Sequence, residues 1–226
     1  MIEHVFRRAS NADGLDRVVV LTDDERVAAV VAEFGGECEM TPGDCASGTD
    51  RIAWAARDWK VAAVINIQGD EPLIDPADIQ KVAERLRAHP EDAIVTLAAP
   101  AEPGDAEDPN VVKVVCDVDG NALYFSRSAI PHRRGGGESP ALRHLGIYGY
   151  QRDALLALAE LEPTPLEQEE KLEQLRALEN GWKIRVLKTN SAFVGVDTRE
   201  DLERAELLLT TGQNLNDRPE TGSRGE

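Results

Sequence analysis

Two neighbouring carboxylates, Asp70 and Glu71, follow a mostly apolar run at residues 61–67, within the motif Q-G-D-E-P. An apolar run of this length is typical of a central strand that is buried on both faces of a parallel sheet. Glycine and proline end regular structure, so both carboxylates are expected just beyond the carboxyl end of that strand. Ligands bind at this edge in open α/β sheets, and a carboxylate there suits Mg²⁺. The alternative is that both residues are solvated loop acids.

Strand and helix patterns alternate over the first hundred residues. Helices are predicted at residues 2–12, 23–34, 50–59 and 76–88. Strands are predicted at residues 17–22, 37–40, 61–67 and 93–99. Thr22 and Glu25 fit a capping box for the second helix, and Asp75 fits an N-cap for the fourth. The alternation predicts parallel βαβ units and an α/β fold with a mostly parallel sheet.

The second half of the chain is richer in β-strand patterns. Strands are predicted at residues 111–115, 122–126, 144–150 and 182–187. Asp119 and Gly120 are a strong hairpin signal between the first two. A capping box at Thr164 and Glu167 predicts one helix that continues to Asn180. A last helix is predicted to end near residue 209, so the domain covers residues 1–209 and a disordered polar tail covers 210–226.

The composition restricts the class of protein and of partner. The chain has 226 residues, of which 42% are hydrophobic, and this predicts one main domain with a sizeable core. A net charge of −17 argues against nucleic acid, and an anionic substrate would need local cations or a metal. Neither a membrane span nor a signal peptide is predicted. Scattered cysteines predict reduced thiols and a cytoplasmic location, not structural zinc. They are Cys38, Cys45 and Cys116.

Six further motifs accompany Q-G-D-E-P along the chain. They are S-G-T-D-R at residues 47–51, N-V-V-K-V-V at 110–115, A-L-Y-F-S-R at 122–127, R-H-L-G-I-Y-G-Y at 143–150, L-E-Q-L-R at 172–176 and G-V-D-T-R-E-D at 195–201. In this order the set resembles the cytidylyltransferases that activate 3-deoxy-manno-octulosonate (Kdo). The resemblance extends from Met1 to about residue 209, and the third and fourth motifs are its most specific part.

This resemblance implies a Rossmann-like nucleotidyltransferase fold with a β-rich dimerisation insertion, and therefore a homodimer. It implies that CTP and Kdo give CMP-Kdo and pyrophosphate, with Mg²⁺ as cofactor, for lipopolysaccharide biosynthesis. Asp70 and Asp197 match the family's catalytic Mg²⁺ ligands, and a pair of ions can activate the attacking hydroxyl. The residues alone favour another role for Asp197, because with Glu200 it can cap the last helix.

The resemblance also assigns two sets of binding residues. Those for the sugar are Gln68, Arg127, His144, Tyr148, Glu173 and Gln174. Those for the nucleotide are Ser47, Gly48, Thr49 and Arg51. An arginine fork at Arg127 suits the sugar carboxylate, although by position alone it is a solvated charge at a strand end. By position alone, His144 is more typical of a packed or solvent-facing histidine, and Glu173 and Gln174 are more typical of a solvated helix face. Ser47, Gly48, Thr49 and Arg51 alone can be only a helix start, with Ser47 or Thr49 as its cap.

Members of the resembled family normally start before this chain does. Their first strand leads into a loop of the kind A-R-x-x-S-T-R-L-P-G-K-P, which grips the nucleotide. Without that strand its neighbours are expected to keep unpaired edges, and without the loop CTP is expected to bind weakly. Either the natural protein starts upstream of Met1 or this is a shortened, weak or inactive form. Two alternative functions remain: activation of 8-amino-Kdo or sialic acid, and a non-catalytic scaffold.

Overall fold

The computed structural model describes residues 1–132, 134–135, 141–191, 195–196 and 198–211. The helices in these ranges are α1 (Ile2–Ser10), α2 (Glu25–Glu33), α3 (Gly48–Ala56), α4 (Pro76–Ala88), α5 (Arg152–Ala159), α6 (Pro165–Glu170), α7 (Gln174–Glu179) and α8 (Arg199–Thr211). The strands are β1 (Val20–Thr22), β2 (Cys38–Met40), β3 (Ala63–Asn66), β4 (Ile94–Pro100), β5 (Lys113–Cys116), β6 (Ala122–Ser126), β7 (Leu142–Gln151) and β8 (Ile184–Lys188).

The long strand β7 is the centre of the main sheet. It pairs antiparallel with β3, β4 and β5. At the two sides, β6 pairs antiparallel with β5 and β8 pairs parallel with β4. The α/β class predicted from the sequence is therefore observed, with a mixed sheet. The prediction that β3 is a central strand with parallel neighbours is wrong, because its described strand partner is β7, in antiparallel register.

A groove of about 830 Å³ separates β3 from β1. Residues 17–21 line one wall and residues 60–69 line the other. Within the described ranges β1 pairs only with β2, as a separate parallel pair, and β3 pairs only with β7. The strand edges that face the groove are thus unpaired within the described ranges.

Most of the predicted helix starts are observed. Asp75 accepts a hydrogen bond from the Ala77 N–H at 2.9 Å, and Thr164 forms the capping box with Glu167. The capping box predicted at Thr22 is wrong. Asp24 caps α2 instead, because Thr22 Oγ1 accepts a hydrogen bond from the Asp24 N–H at 3.1 Å and does not reach the first turn of the helix.

The helix predicted from Thr164 to Asn180 is interrupted, and this prediction is also wrong. Lys171 adopts a left-handed backbone conformation, with φ of 55°, between α6 and α7. The preceding Glu170 carboxylate accepts hydrogen bonds from Ser126 Oγ at 2.6 Å and from the Arg127 N–H at 2.9 Å. These long-range bonds anchor the chain at the end of β6, so the helix ends there without a glycine or a proline.

Apolar layers cover both faces of the main sheet. On one face, Phe125, Leu155 and Leu175 belong to a cluster between the sheet and α3, α5 and α7. On the other face, Ile79 and Leu145 belong to a cluster between the sheet and α1 and α4. In the described part of the chain, no helix has both the length and the apolar character that crossing a membrane requires.

The predicted hairpin is observed between β5 and β6. Gly120 has φ of 85°, a left-handed conformation that glycine adopts without strain. Near the end of the chain, α8 continues to Thr211, two residues beyond the prediction. Most of the predicted tail, residues 212–226, lies outside the described residues.

Candidate active site

A cavity of about 440 Å³ lies against β7 on the face that α3 and α7 cover. All six residues predicted to bind the sugar line it, together with two of those predicted to bind the nucleotide. They are Gln68, Arg127, His144, Tyr148, Glu173, Gln174, Gly48 and Thr49. Residues that are more than a hundred positions apart in the sequence therefore meet in one cavity.

The start of α3 forms one wall of the cavity. Ser47 caps this helix by accepting a hydrogen bond from the Asp50 N–H at 3.1 Å, so its predicted alternative as a cap is observed. The next residue, Gly48, faces the side chain of Gln68. A Cβ added at Gly48 would lie 3.6 Å from Gln68 Nε2, in van der Waals contact. Thr49 Oγ1 donates to Glu173 Oε2 at 2.8 Å, which joins α3 to the start of α7.

Arg51 faces away from this cavity. Its guanidinium forms an ion pair with Asp23 at 3.1 Å and also donates to Thr41 Oγ1. Arg51 lines the 830 Å³ groove instead. Ser47 and Arg51 are thus not among the residues that line the cavity, although Gly48 and Gln68 line both the cavity and the groove. The contact of Ser47 and Arg51 with a nucleotide stays a prediction.

The guanidinium of Arg127 is held in place by backbone carbonyl groups. Its Nε donates to the Glu170 carbonyl and its Nη1 donates to the Pro109 carbonyl, each at 3.0 Å. Nη2 forms no hydrogen bond within the described residues and stays available to a ligand. Arg127 directly follows β6 and is half-buried, so its position is compatible with both a ligand contact and a solvated charge at a strand end.

Lys113 fixes the backbone around Arg127. Its side chain is completely buried, and Nζ donates to the Arg127 carbonyl at 2.5 Å and to the Asp108 carbonyl at 2.8 Å. Burial lowers the pKa of the Lys113 ammonium, while the nearby Asp108 carboxylate opposes this shift. A buried lysine thus joins the end of β6 to the loop before β5.

His144 is a titratable residue of the cavity whose pKa is strongly lowered. Burial of its ring lowers the pKa to about 3, so the imidazole is neutral near pH 7. Nε2 lies 3.0 Å from Thr96 Oγ1, and the Phe125 ring packs edge-on at 5.1 Å between centroids. Thr96 was not predicted from the sequence, although it is the single hydroxyl residue within the apolar run at residues 93–99.

Two stacked tyrosines continue the same face of β7. The rings of Tyr148 and Tyr150 lie 5.9 Å apart at an interplanar angle of 20°. Removal from water raises the pKa of both phenols. The Tyr148 hydroxyl is inaccessible to water and meets the geometry of a hydrogen bond with no described residue. An unsatisfied polar atom of this kind costs free energy unless a ligand pairs with it.

Asp70, one of the two residues predicted to bind the metal, follows the end of β3. Asp70 is exposed, and no described residue bonds to its carboxylate. The Val196 N–H donates to the Asp70 carbonyl at 3.0 Å, and an added Cβ on Gly195 would be 3.1 Å from Glu71 Oε1. The loop that precedes Asp197 therefore packs against Asp70, whereas Asp197 itself lies outside the described residues.

The described residues include no group of three or more His, Cys, Asp or Glu side chains suited to a metal ion. Mg²⁺ does not require such a group, because it commonly keeps several waters and binds one or two carboxylates together with substrate phosphates. The exposed, unbonded carboxylate of Asp70 fits this coordination, although Asp70 is not among the residues that line the cavity. The fit to Mg²⁺ thus depends on one described carboxylate and on oxygen atoms that a nucleotide would supply.

Known proteins with similar sequences and structures are cytidylyltransferases. The chain is 50% identical over 214 residues to the 3-deoxy-manno-octulosonate cytidylyltransferase of Myxococcus xanthus, which covers 92% of this chain and 85% of the relative. A solved CMP:2-keto-3-deoxy-manno-octonic acid synthetase in complex with CTP superposes with a TM-score of 0.90 at 39% identity, over 94% of this chain and 88% of that one.

A more distant structure shows only the shared fold. A putative glucose-1-phosphate thymidylyltransferase from Bacillus anthracis superposes with a TM-score of 0.64 at 17% identity, over 92% of this chain and 81% of that one. Together these structures establish the Rossmann-like nucleotidyltransferase fold. The family model described as cytidylyltransferase matches residues 1–184. The chain therefore belongs to the cytidylyltransferase family.

Proposed function

We propose that this protein is the cytidylyltransferase that joins CTP to Kdo, giving CMP-Kdo and pyrophosphate. The observation that carries the proposal is the convergence of Gln68, Arg127, His144 and Glu173 in one cavity. These residues occur in the motifs that the chain shares with the Kdo enzymes. The relative from Myxococcus xanthus bears the name of this activity, at 50% identity.

The reaction requires positioning more than a strong nucleophile. The anomeric hydroxyl oxygen of Kdo bonds to the α-phosphorus of CTP as the bond to the bridging oxygen breaks, and pyrophosphate leaves with that electron pair. The hydroxyl proton passes to solvent or to a base. Arg127 supports this assignment because its Nη2 is available to the sugar carboxylate, as a planar donor fork suits a carboxylate. Gln68 and Gln174 offer amide groups to sugar hydroxyls.

Magnesium is part of the proposal. We assign Asp70 and Asp197 as its ligands, and the bound ion would neutralise phosphate charge and lower the pKa of the attacking hydroxyl. The unbonded carboxylate of Asp70 and the packing of residues 195–196 against it support this assignment. In a protein with a net charge of −17, such a cation would offset the repulsion of a triphosphate.

The test is release of pyrophosphate and formation of CMP-Kdo from millimolar CTP, Kdo and Mg²⁺. Parallel reactions contain 8-amino-Kdo or sialic acid in place of Kdo, and EDTA in place of Mg²⁺. We expect product with Kdo and Mg²⁺, and a lower kcat/KM with the other two acids. Binding of Kdo without product at any CTP concentration would instead favour the non-catalytic alternative.

A homodimer and a cytoplasmic role in lipopolysaccharide biosynthesis complete the proposal. The β5–β6 hairpin supports the dimer, because Val118 is 103% exposed and Leu123 is 62% exposed. Light scattering after gel filtration should give twice the mass of the chain, and joint substitution of both residues by Asp should give the monomer. A wild-type monomer at micromolar concentration would exclude this interface. Three free cysteines are compatible with a reducing compartment.

A further inference from the structure

The hydroxyl of Thr96 lies where strands β4 and β7 lose their regular register. Thr96 pairs with Tyr148, but the next residue, Leu97, pairs with Leu145, so β7 has two extra residues at this point. Bulges of this kind frequently occur beside active sites and redirect side chains. Thr96 is completely buried here, and its Oγ1 lies 2.8 Å from the Ile147 carbonyl oxygen and 3.4 Å from that of Leu145.

The single proton of this hydroxyl determines the tautomer of His144. The carbonyl oxygens can only accept hydrogen bonds, so the Thr96 proton is directed to the nearer one, that of Ile147. Thr96 Oγ1 is also 3.0 Å from His144 Nε2, and with its proton committed it can only accept there. Nε2 must then carry the hydrogen of the neutral imidazole, and Nδ1 must be unprotonated.

The bare nitrogen belongs to a residue that lines the cavity. The His144 ring is fixed by the edge of Phe125 at 5.1 Å and by Tyr148 at 5.2 Å between centroids. In the part of the chain that the structure describes, no group bonds to Nδ1. Burial lowers the pKa of the ring to about 3, which agrees with an imidazole that stays neutral at the cavity wall.

We infer that Thr96 is a positioning residue that holds His144 as the Nε2–H tautomer, so that Nδ1 accepts a hydrogen bond from a substrate hydroxyl. This inference rests on the proposed function and defines the orientation of the sugar acid. A carboxylate has only acceptor atoms and is repelled by a bare nitrogen. The carboxylate must therefore turn from His144 towards Arg127 and Lys171, the two cations of the cavity wall that form no ion pair with a described residue.

The direct test is the tautomer itself, measured on the full chain without substrate. Long-range ¹H–¹⁵N correlation spectra of histidine-labelled protein near pH 7.5 distinguish protonated from bare ring nitrogens. The His144→Gln variant assigns the signals by their absence. We expect a protonated Nε2 and a bare Nδ1 in the wild type and in Thr96→Ser, which keeps the hydroxyl. In Thr96→Val, which keeps the shape, both tautomers should be populated. A protonated Nδ1 in the wild type would overturn the inference.

Kinetics with CTP, Kdo and Mg²⁺ form the second readout. Thr96→Val should raise the KM for Kdo about tenfold, the effect of one lost hydrogen bond, and leave the KM for CTP unchanged. Thr96→Ser should stay close to the wild type. Equal changes in both KM values would contradict a role specific to the sugar. If the wild type makes no CMP-Kdo, the proposed function fails, while the spectra still decide the tautomer. If Thr96→Val does not fold, the spectra of the wild type and of Thr96→Ser still show which ring nitrogen of His144 carries the hydrogen.

Discussion

Acidification should destabilise this protein through His144 well before its carboxylates are protonated. The unfolded chain has a histidine pKa of about 6.5, whereas in the folded chain burial lowers it to about 3. Because the folded pKa is the lower one, the stabilising contribution is complete above pH 6.5 and is lost as the pH falls towards 3. At 1.36 kcal/mol per pH unit, lowering the pH to 5 removes about 2 kcal/mol. Water in the cavity reduces this loss, so we expect about 1 to 2 kcal/mol.

Urea unfolding from about pH 7.5 to about pH 5, followed by circular dichroism, measures this loss. With an m-value of about 2 kcal/mol per molar, the urea midpoint of the wild type should fall by roughly 0.5 to 1 M. The His144→Gln variant lacks the buried imidazole and keeps every other titratable group. Its urea midpoint should therefore fall distinctly less over the same pH range. Carboxylates contribute little in this pH range because their unfolded pKa values are near 4. Parallel losses in the two proteins would show that the ring is not buried as described.

Three substitutions examine other contacts. Glu167 forms a buried ion pair with Arg176, with nitrogen–oxygen distances of 2.5 and 2.9 Å. Glu167→Gln should lower the free energy of unfolding in urea by about 3 kcal/mol. The control Glu160→Gln changes the exposed pair of Glu160 with Arg57 and should lower it by less than about 1 kcal/mol. Glu170→Gln weakens the bonds at the end of β6 and should raise the KM for Kdo about tenfold, with that for CTP unchanged. Asp70→Asn should lower kcat at least about 100-fold, yet change the unfolding free energy by less than about 0.5 kcal/mol. An active Asp70→Asn enzyme would exclude this metal site.

Local sequence signals predicted the parts of the fold that depend on nearby residues. The turn at Gly120 and the caps at Asp75 and Thr164 each involve atoms a few residues apart, so residue type and spacing were sufficient. Thr22 shows the limit of such signals. Its hydroxyl satisfies the Asp24 N–H, and Asp24, a residue type that is favoured over threonine as an N-cap, caps the helix.

Residues that act through distant partners were not predictable in this way. The break at Lys171 depends on a carboxylate that reaches Ser126, 44 positions earlier. The position of Arg127 depends on carbonyl groups from two other segments. The pairing of β3 depends on which strand lies beside it, and an apolar run does not specify this. In each case the deciding contact is long-range, and the local pattern is compatible with more than one outcome.

The cavity resolves the difficulty that a net charge of −17 poses for an anionic sugar. Four charged residues line it, and they are Arg127, Lys171, Glu173 and Arg176. The charge of Arg176 is neutralised by the buried carboxylate of Glu167, and Glu173 accepts a hydrogen bond from Thr49. Lys171 forms no ion pair within the described residues, and the Arg127 guanidinium bonds to carbonyls. Since His144 is neutral, recognition of the carboxylate must depend on these two cations, whatever the sign of the charge elsewhere on the protein.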